Sequence, residues 1–290
     1  MIDLKITDVR ADKGDSAFLI DDGKTAVMYD SGFAFTGYAV ADKIKAILKE
    51  RKLDYIFLTH SHYDHAAGTP YALKYWPEAK VVAGEYAVKI FGKPTAKAVM
   101  RDLDKKHALK CGVTEYEDLI DELKVDISVK DGDKIKAGGM TFTALNLPGH
   151  TKCSIGYYLE ENKLLLSCET LGNFDGTTHI TPLYLVGVEM ALNSIKKAKA
   201  LEIENILIPH HGLLNKEQTK YFLENTFEVN KNCASEIAKI LKNGGKKEEA
   251  MKYFIETFYG YRKNDMPPID ALNLNTGIMV DLIEREMVNI

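Results

Sequence analysis

Three of the chain's eight histidines lie within six positions of one short segment, LTHSHYDHAAG (58–68). This segment brings His60, His62, Asp64 and His65 together. Divalent transition metals bind imidazole nitrogens and carboxylate oxygens, each within about 2.2 Å of the ion. His60 and His62 are two residues apart, so their side chains point to the same side of an extended chain. Asp64 and His65 follow where the chain turns into a helix, and the segment therefore predicts a site for one or two metal ions.

More side chains that can bind metals follow short apolar segments elsewhere in the sequence. They are Asp30 after AVMY, His150 after FTALNLPG, Glu169 after KLLLSC and His211 after ILIPH. These apolar runs are typical of buried strands, as is DYIFLT before His60. If the strands belong to one architecture, the residues that follow them can meet at a common edge. We therefore expect the separated residues to converge on the site predicted for the histidine segment.

Hairpins and helices are both predicted along the first 214 residues. Asp-Asp-Gly-Lys at 21–24 lies between two apolar runs and predicts a hairpin turn, and YYLEENKLLL predicts a second hairpin. Residues 85–123 predict a charged, mostly helical excursion that could form a lid or a pocket wall. The helical spacing of apolar residues predicts helices over 38–52, 69–76 and 189–200. Together these patterns predict a layered α/β (α+β) domain over residues 1–214.

The pattern of the sequence becomes helical after residue 214. Three helices are predicted over 216–242, 247–259 and 269–287, the last of them after Pro267-Pro268. Residues 215–290 are therefore expected to form a C-terminal helical region.

The composition excludes several classes of protein. The 290 residues are 46% hydrophobic and carry a net charge of -4, which gives no electrostatic reason to expect nucleic acid or an anionic membrane as a partner. The sequence has no apolar run of roughly 18 residues and no signal-peptide pattern. Four cysteines without a CxxC pair fit reduced thiols. We expect a cytoplasmic protein that acts on a small molecule, and the sequence indicates no particular oligomeric state.

The motifs in their order resemble those of the metallo-β-lactamase fold superfamily. THSHYDH resembles its His-x-His-x-Asp-His signature, and LPGHT resembles its second histidine motif. SCETL stands where Gly-Asp-Thr-Leu is usual, IPHHG where Pro-Gly-His-Gly is usual, and DSG resembles the first motif. The resemblance extends from Gly14 to about Gly212 and implies a metallo-β-lactamase-like αββα sandwich with a C-terminal helical appendage.

The resemblance also implies a set of metal ligands. One ion would be bound by His60, His62 and His150. A second ion would be bound by Asp64, His65 and His211, with Glu169 bridging the two. Asp30 would orient a ligand loop rather than bind metal. Zn²⁺ is the expected ion, with Fe²⁺ or Mn²⁺ as alternatives, because the donors are imidazoles and carboxylates.

Two positions depart from the family pattern. Glu169 replaces an aspartate and is one methylene longer, so its backbone is set back, or the metals are held differently, or only one ion is strongly bound, or Glu169 is not a ligand. His210 occupies the usual glycine position and is left outside the ligand set. Elsewhere, His107 is interpreted as a surface or satisfied polar residue, whereas His179 could line the pocket.

Two neighbouring divalent ions lower the pKa of a shared water and polarise the oxygen of the bond under attack. The resemblance therefore implies a hydrolase that uses a metal-bound hydroxide. Asp64 would be the catalytic residue, since it would also steer a proton to the leaving group. Cys153 and Cys168 are expected to be buried or close to ligands, and not to be nucleophiles.

The helical appendage resembles that of hydroxyacylglutathione hydrolases and of acyl-coenzyme A thioesterases. Hydrolysis of a thioester or of a small carboxylic ester is therefore the expected reaction. Two alternatives are left open. One is lactone or phosphodiester hydrolysis at the same dinuclear site, and the other is a non-enzymatic binding or regulatory role on the same fold.

Overall fold

The protein is described by a computed structural model that covers residues 2–261 and 269–289. Its contacts divide the chain into two compact units. Unit 1 contains the residues up to Asn146 together with Ile155–Ser167. Unit 2 contains Leu147–Ser154 together with the residues from Cys168 onward. The predicted domain boundary near residue 214 stays a prediction.

A mixed sheet lies at the centre of unit 1. Its strands, in both spatial and chain order, are β1 (Lys5–Asp8), β2 (Phe18–Asp21), β3 (Ala26–Tyr29), β4 (Tyr55–Phe57), β5 (Lys80–Gly84) and β6 (Ile127–Val129). Strands β1 to β3 are antiparallel, and the first predicted hairpin is confirmed between β2 and β3. Strands β3 to β6 are parallel. The carboxyl ends of β3 and β4 therefore lie side by side.

Helices connect the parallel strands of this sheet. They are α1 (Gly37–Leu48), α2 (Tyr63–Ala66), α3 (Thr69–Tyr75), α4 (Glu85–Phe91) and α5 (Pro94–Lys110). The predicted helix over 38–52 is confirmed but ends early, because Lys49 adopts a positive φ of 55°. Helices α4 and α5 and a 3₁₀ turn at Ile120–Glu122 confirm that residues 85–123 are mostly helical. A role of this excursion as a lid or pocket wall stays a prediction.

Gly68 closes the histidine segment and immediately precedes α3. A β-carbon at this position would lie 2.0 Å from the carbonyl oxygen of Ser31, in the loop that follows β3. The Gly68 N–H also donates a hydrogen bond to the carbonyl of Gly32 at 3.0 Å. The backbones before α3 and after β3 are thus in direct contact, which only a residue without a side chain allows.

The remaining strands of unit 1 form an antiparallel meander. They are β7 (Lys134–Ala137), β8 (Met140–Asn146), β9 (Ile155–Leu159) and β10 (Leu164–Leu166). The second predicted hairpin is confirmed between β9 and β10, with Lys163 at a positive φ of 47° in its turn. Strand β7 alternates exposed and buried residues, as a strand with one covered face does.

Unit 2 is mainly helical. Its elements are β11 (Asn173–Phe174), β12 (Ile180–Thr181), α6 (Val188–Lys199), β13 (Asn205–Ile208), β14 (Gly212–Leu213), α7 (Lys216–Lys242), α8 (Lys247–Tyr259) and α9 (Ile269–Ile283). Helix α7 begins with a capping box between Asn215 and Gln218. The predicted helices over 216–242 and 247–259 are confirmed. The predicted last helix is confirmed up to Ile283 and continues as a π-helical turn, Glu284–Val288.

A hydrophobic core holds the helices of unit 2 together. It is built from Ala191 of α6, Ile237 of α7, Phe254 of α8 and Val280 of α9, among others. The prediction that Pro267-Pro268 precedes the last helix lies outside the described residues. Within the described part of the chain, no helix is both long and apolar enough to cross a membrane. The predicted mixed α/β class is confirmed.

Candidate metal centre

In unit 1, the ends of β3 and β4 position the first candidate residues. Tyr29 and Phe57, the last residues of the two strands, are paired in register. Asp30 and Thr59 therefore follow on neighbouring strands, and the Thr59 N–H donates to Asp30 Oδ1 at 2.8 Å. Asp30 has a positive φ of 53°, a conformation that aspartate tolerates better than most residues. The prediction that Asp30 and the histidine segment meet at one sheet edge is confirmed.

The Asp30 carboxylate is fully buried and accepts several hydrogen bonds. Its donors are the Thr59 N–H, the hydroxyl groups of Thr59 and Ser16, and Nδ1 of His65 at 2.8 Å. These bonds hold the carboxylate in one orientation without a lysine or arginine among them. Asp30 in turn fixes the plane and tautomer of the His65 ring, as a carboxylate behind a metal-binding histidine does.

His65 and Asp64 present their donor atoms to a common point. The Nε2 atom of His65 lies 3.8 Å from Oδ2 of Asp64. The His65 ring is fully buried, whereas the Asp64 side chain is 23% exposed. Two ligands of one ion are typically about 3 to 4 Å apart, as follows from metal–ligand distances of about 2.1 Å. The pair can therefore supply two ligands to one ion.

His60 and His62 form the other half of the segment. Their ring centroids are 4.5 Å apart, and a ring nitrogen of each lies within 4.8 Å of a ring nitrogen of the other. The Nδ1 atom of His60 is hydrogen-bonded to the Thr59 hydroxyl at 2.9 Å, which defines the orientation of this buried ring. The centroids of His60 and His65 are 4.0 Å apart. All four residues of the segment thus form one compact cluster within unit 1.

In unit 2, Glu169 lies between two imidazoles. Its Oε2 is 2.8 Å from Nε2 of His150, and its Oε1 is 3.5 Å from Nε2 of His210. Glu169 begins a 3₁₀ turn, Glu169–Leu171, after the apolar strand that the sequence predicts. Its two carboxylate oxygens therefore face two different histidines.

His150 is held by hydrogen bonds to two other segments of unit 2. Its Nδ1 donates to the carbonyl of Leu183 at 2.6 Å, so that Nε2 is the atom directed to Glu169. Its backbone N–H donates to the hydroxyl of Thr170 at 3.1 Å, beside Glu169 in the chain. These two contacts keep His150 and the Glu169 turn in a fixed relation to one another.

His210 and His211 take different positions. His210 has a positive φ of 61°, the conformation that glycine adopts most easily, and its side chain is directed to Glu169. The ring of His211 lies near Phe174, with centroids 6.5 Å apart, and next to the backbone of Gly176. The family pattern places His210 outside the ligand set, whereas the structure directs it to Glu169. Its place at a position usually held by glycine, where the backbone turns, is the sequence feature that indicates this orientation.

The remaining cysteine and histidine candidates make other contacts. The thiols of Cys153 and Cys168 are buried, as predicted. His179 stacks on Tyr261 with centroids 3.7 Å apart and is paired with Asp175, whereas its role in a pocket stays a prediction. His107 is paired with Asp12 at 3.3 Å.

The chemistry of the donors fits a divalent metal. Unit 1 offers three imidazoles and one carboxylate, and unit 2 offers imidazoles around one carboxylate, with no thiolate among the candidates. Such nitrogen and oxygen sets suit Zn²⁺, Fe²⁺ and Mn²⁺.

The sequence of residues 12–210 matches the model of the metallo-beta-lactamase superfamily. A hydroxyacylglutathione hydrolase from Brucella anthropi is 30% identical over 133 residues, which cover 45% of this chain and 39% of that protein. A hydroxyacylglutathione hydrolase from Bartonella tribocorum is 29% identical over 196 residues, which cover 64% of this chain and 61% of that protein. The chain thus spans less than two thirds of the length of these relatives.

Similarity of structure extends further along the chain. A metallo-beta-lactamase family protein from Thermus thermophilus has a TM-score of 0.64 with 16% identity, and the match covers 98% of this chain and 93% of that protein. The predicted fold class is thereby confirmed. The motifs, the family match over most of the chain and the shared fold agree. The chain belongs to the metallo-β-lactamase superfamily.

Proposed function

We propose that the protein is a metal-dependent hydrolase of thioesters or small carboxylic esters. The observation that carries this proposal is the fully buried pair of Asp30 and His65. Asp30 holds Nδ1 of His65 at 2.8 Å, and Nε2 of the same ring lies 3.8 Å from the Asp64 carboxylate. A buried carboxylate that orients a histidine toward a second carboxylate is typical of a metal centre.

The proposed donors follow the family pattern. The first ion would be bound by His60, His62 and His150, and the second by Asp64, His65 and one histidine of the His210–His211 pair. Glu169 would lie between the ions. Its position between two imidazoles, at 2.8 and 3.5 Å, supports this role. We propose Zn²⁺ as the ion, with Fe²⁺ and Mn²⁺ as alternatives, because no thiolate belongs to the set.

When bound, such ions supply an activated water at neutral pH and a Lewis acid for the carbonyl oxygen of the substrate. The protein's own residues orient the reaction. Asp30 keeps His65 in a single tautomer through the hydrogen bond to Nδ1. Asp64, which is 23% exposed, is accessible to accept the proton of the attacking water and to transfer it to the departing thiolate or alkoxide.

The choice of substrate is supported by the relatives. Those from Brucella anthropi and Bartonella tribocorum are named hydroxyacylglutathione hydrolases, whose name denotes a thioester substrate. A small-molecule substrate also agrees with the net charge of -4, which does not favour nucleic acid. We further propose a reducing cytoplasm as the compartment, where all four thiols would stay reduced.

Metal analysis and a substrate screen test this proposal. Protein purified without chelator should contain at least two equivalents of divalent metal. Loaded with Zn²⁺, Fe²⁺ or Mn²⁺ in turn, it should hydrolyse thioesters in preference to lactones and phosphodiesters. Activity on phosphodiesters or lactones alone would contradict the choice of substrate. A protein that neither binds nor is activated by any of these metals would contradict the hydrolase and favour a binding or regulatory role.

A further inference from the structure

A second group of metal-binding side chains lies in unit 1, outside the candidate centre. Asp12, His107 and Cys111 each offer one ligand atom, and these atoms all lie within 4.8 Å of one another. His107 and Cys111 are four residues apart at the end of α5, where the Cys111 N–H donates to the His107 carbonyl at 3.1 Å. This spacing places the two side chains on the same face of the helix. Asp12 approaches that face from the loop between β1 and β2.

Two distances between donor atoms, each to a different oxygen of Asp12, are close to those between two ligands of one tetrahedral ion. Nε2 of His107 lies 3.3 Å from Oδ1 of Asp12, and Sγ of Cys111 lies 3.6 Å from Oδ2 of Asp12. Tetrahedral zinc has bonds of about 2.0 Å to nitrogen and oxygen and about 2.3 Å to sulfur, so its ligands are about 3.3 to 3.6 Å apart. A cation can therefore be bound here without a large movement of the side chains.

Neighbouring groups hold the donors in place. The ring of His107 stacks on Phe33 with centroids 4.5 Å apart and an interplanar angle of 19°. The Asp12 carboxylate accepts a hydrogen bond from the Gly14 N–H at 2.7 Å. The buried carboxylate of Asp15 accepts the backbone N–H of Asp12 at 2.8 Å. The imidazole of His107 and the carboxylate of Asp12 are thus preorganised, which lowers the free-energy cost of binding an ion.

The exposure of the group allows an ion to enter from solvent. The side chain of His107 is 12% exposed and that of Asp12 is 26% exposed, and Cys111 is exposed at the end of the helix. An ion pair of His107 with Asp12 accounts for two of the three residues. The Cys111 thiol in turn donates a hydrogen bond to the same carboxylate at 3.6 Å, so the imidazole and the thiol both converge on Asp12.

We propose that Asp12, His107 and Cys111 bind one Zn²⁺ or another borderline-soft divalent cation, with the fourth position open to water or to an incoming donor. The mixed nitrogen, oxygen and sulfur set selects this class of ion over Mg²⁺ and Ca²⁺. The bound cation connects the end of α5 to the β1–β2 loop, joining two donors that are 99 residues apart in the chain. The same loop continues to Ser16, whose N–H donates to the carbonyl of Asp64 at 3.1 Å. This site is independent of the proposed hydrolase.

Cobalt spectroscopy distinguishes this site from the candidate centre. A thiolate bound to Co²⁺ gives a sulfur-to-metal charge-transfer band in the near ultraviolet, and the donors of the candidate centre include no thiol. The full-length protein is titrated with Co²⁺ under anaerobic, reducing conditions. The band should appear, and added Zn²⁺ should remove it.

Matched variants assign the band. It should be lost in Cys111→Ser, with one equivalent less of bound metal, and kept in Cys153→Ser and in His62→Ala. His107→Gln should weaken the binding of Co²⁺ by at least tenfold, as judged from the same band. Absence of the band in the unaltered protein would overturn the proposal. So would its persistence in Cys111→Ser, or unchanged Co²⁺ affinity in His107→Gln. Because His62→Ala impairs only the candidate centre, a failure of the proposed hydrolase would not affect these outcomes.

Discussion

The two groups of candidate ligands are built in different ways. In unit 1, His60, His62, Asp64 and His65 come from one segment after β4, supported by Asp30 at the end of the neighbouring strand. In unit 2, the histidines and Glu169 come from three loops, and each loop contributes one or two side chains. The first group is defined by the register of two parallel strands. The second depends on the course of each separate loop.

This difference shows which candidate positions follow directly from strand pairing. The residue after β3 must lie beside the residues after β4, because Tyr29 pairs with Phe57. In unit 2, the backbone turn at residue 210 decides which of two adjacent histidines is directed to Glu169. The structure directs His210 to it, at a φ of 61°. A contiguous motif is therefore a firmer guide to ligands than a histidine pair at a turn.

The largest effect is expected from removing a proposed ligand of the contiguous segment. Asp64→Ala should lower kcat for a thioester by at least about 10³-fold, since ligation and proton transfer together would lower the activation barrier by several kcal/mol. The bound metal should fall by up to one equivalent. Far-ultraviolet circular dichroism should be unchanged because the side chain is partly exposed. Activity within tenfold of the unaltered protein would show that Asp64 has no part in the reaction.

A pair of variants in unit 2 tests the loop-built group. His210→Gly removes the imidazole that faces Glu169 and also relieves a backbone conformation that costs about 1 kcal/mol in non-glycine residues. We expect at least tenfold weaker retention of the second metal, with the free energy of unfolding within about 1 kcal/mol of the original. His211→Ala is the matched control and should have the smaller effect on metal retention. The reverse order would assign the ligand to His211.

Replacing Asp30, which orients His65, should lower metal affinity and activity less than replacing a proposed ligand. Asp30→Asn keeps the size of the side chain but replaces the carboxylate that orients His65. Loss of such an outer partner typically costs about 10- to 100-fold in metal affinity or activity. Chelator competition measures the affinity, and thermal unfolding in excess metal checks the fold. An effect as large as that of Asp64→Ala would indicate that Asp30 is itself a ligand.

The smallest effect on activity is expected at another buried carboxylate of unit 1, that of Asp104. Asp104 accepts hydrogen bonds from the N–H of Ala34 and from the hydroxyl of Tyr116, and burial raises its pKa to about 6. A carboxyl group whose pKa is higher in the folded than in the unfolded state binds a proton on folding. Its contribution to stability is present below pH about 4 and is lost as the pH rises through about 6.

Asp104→Asn should therefore reduce the decline of stability between pH 4 and 6, by at most about 3 kcal/mol. Urea unfolding at several pH values measures this slope. Metal content and kcat should stay within twofold of the original, in contrast to Asp30→Asn. An unchanged slope would show that another group is responsible for the pH dependence.

Much of this fold could be predicted from local patterns. The capping box at Asn215 and the turn at Gly244 bound a helix whose limits the sequence predicts. The hairpin turn at 21–24 is specified by its own residues. The positive φ of Lys49, which ends α1, could not be predicted, because nothing in its side chain favours it.

The candidate site was predictable to the extent that it is contiguous. The contact between Asp30 and His65 follows from a motif order and a strand register. The position of Leu183, whose carbonyl holds His150, could not be predicted, because it depends on the course of a loop 33 residues away. The approach of Asp12 to α5 likewise depends on tertiary packing.

The contact between Gly68 and Ser31 has a consequence for variation in this chain. With 2.0 Å between a β-carbon and a carbonyl oxygen, alanine is already too large at position 68. A saturation library at this position should therefore yield glycine alone among folded clones, although the residue carries no functional group.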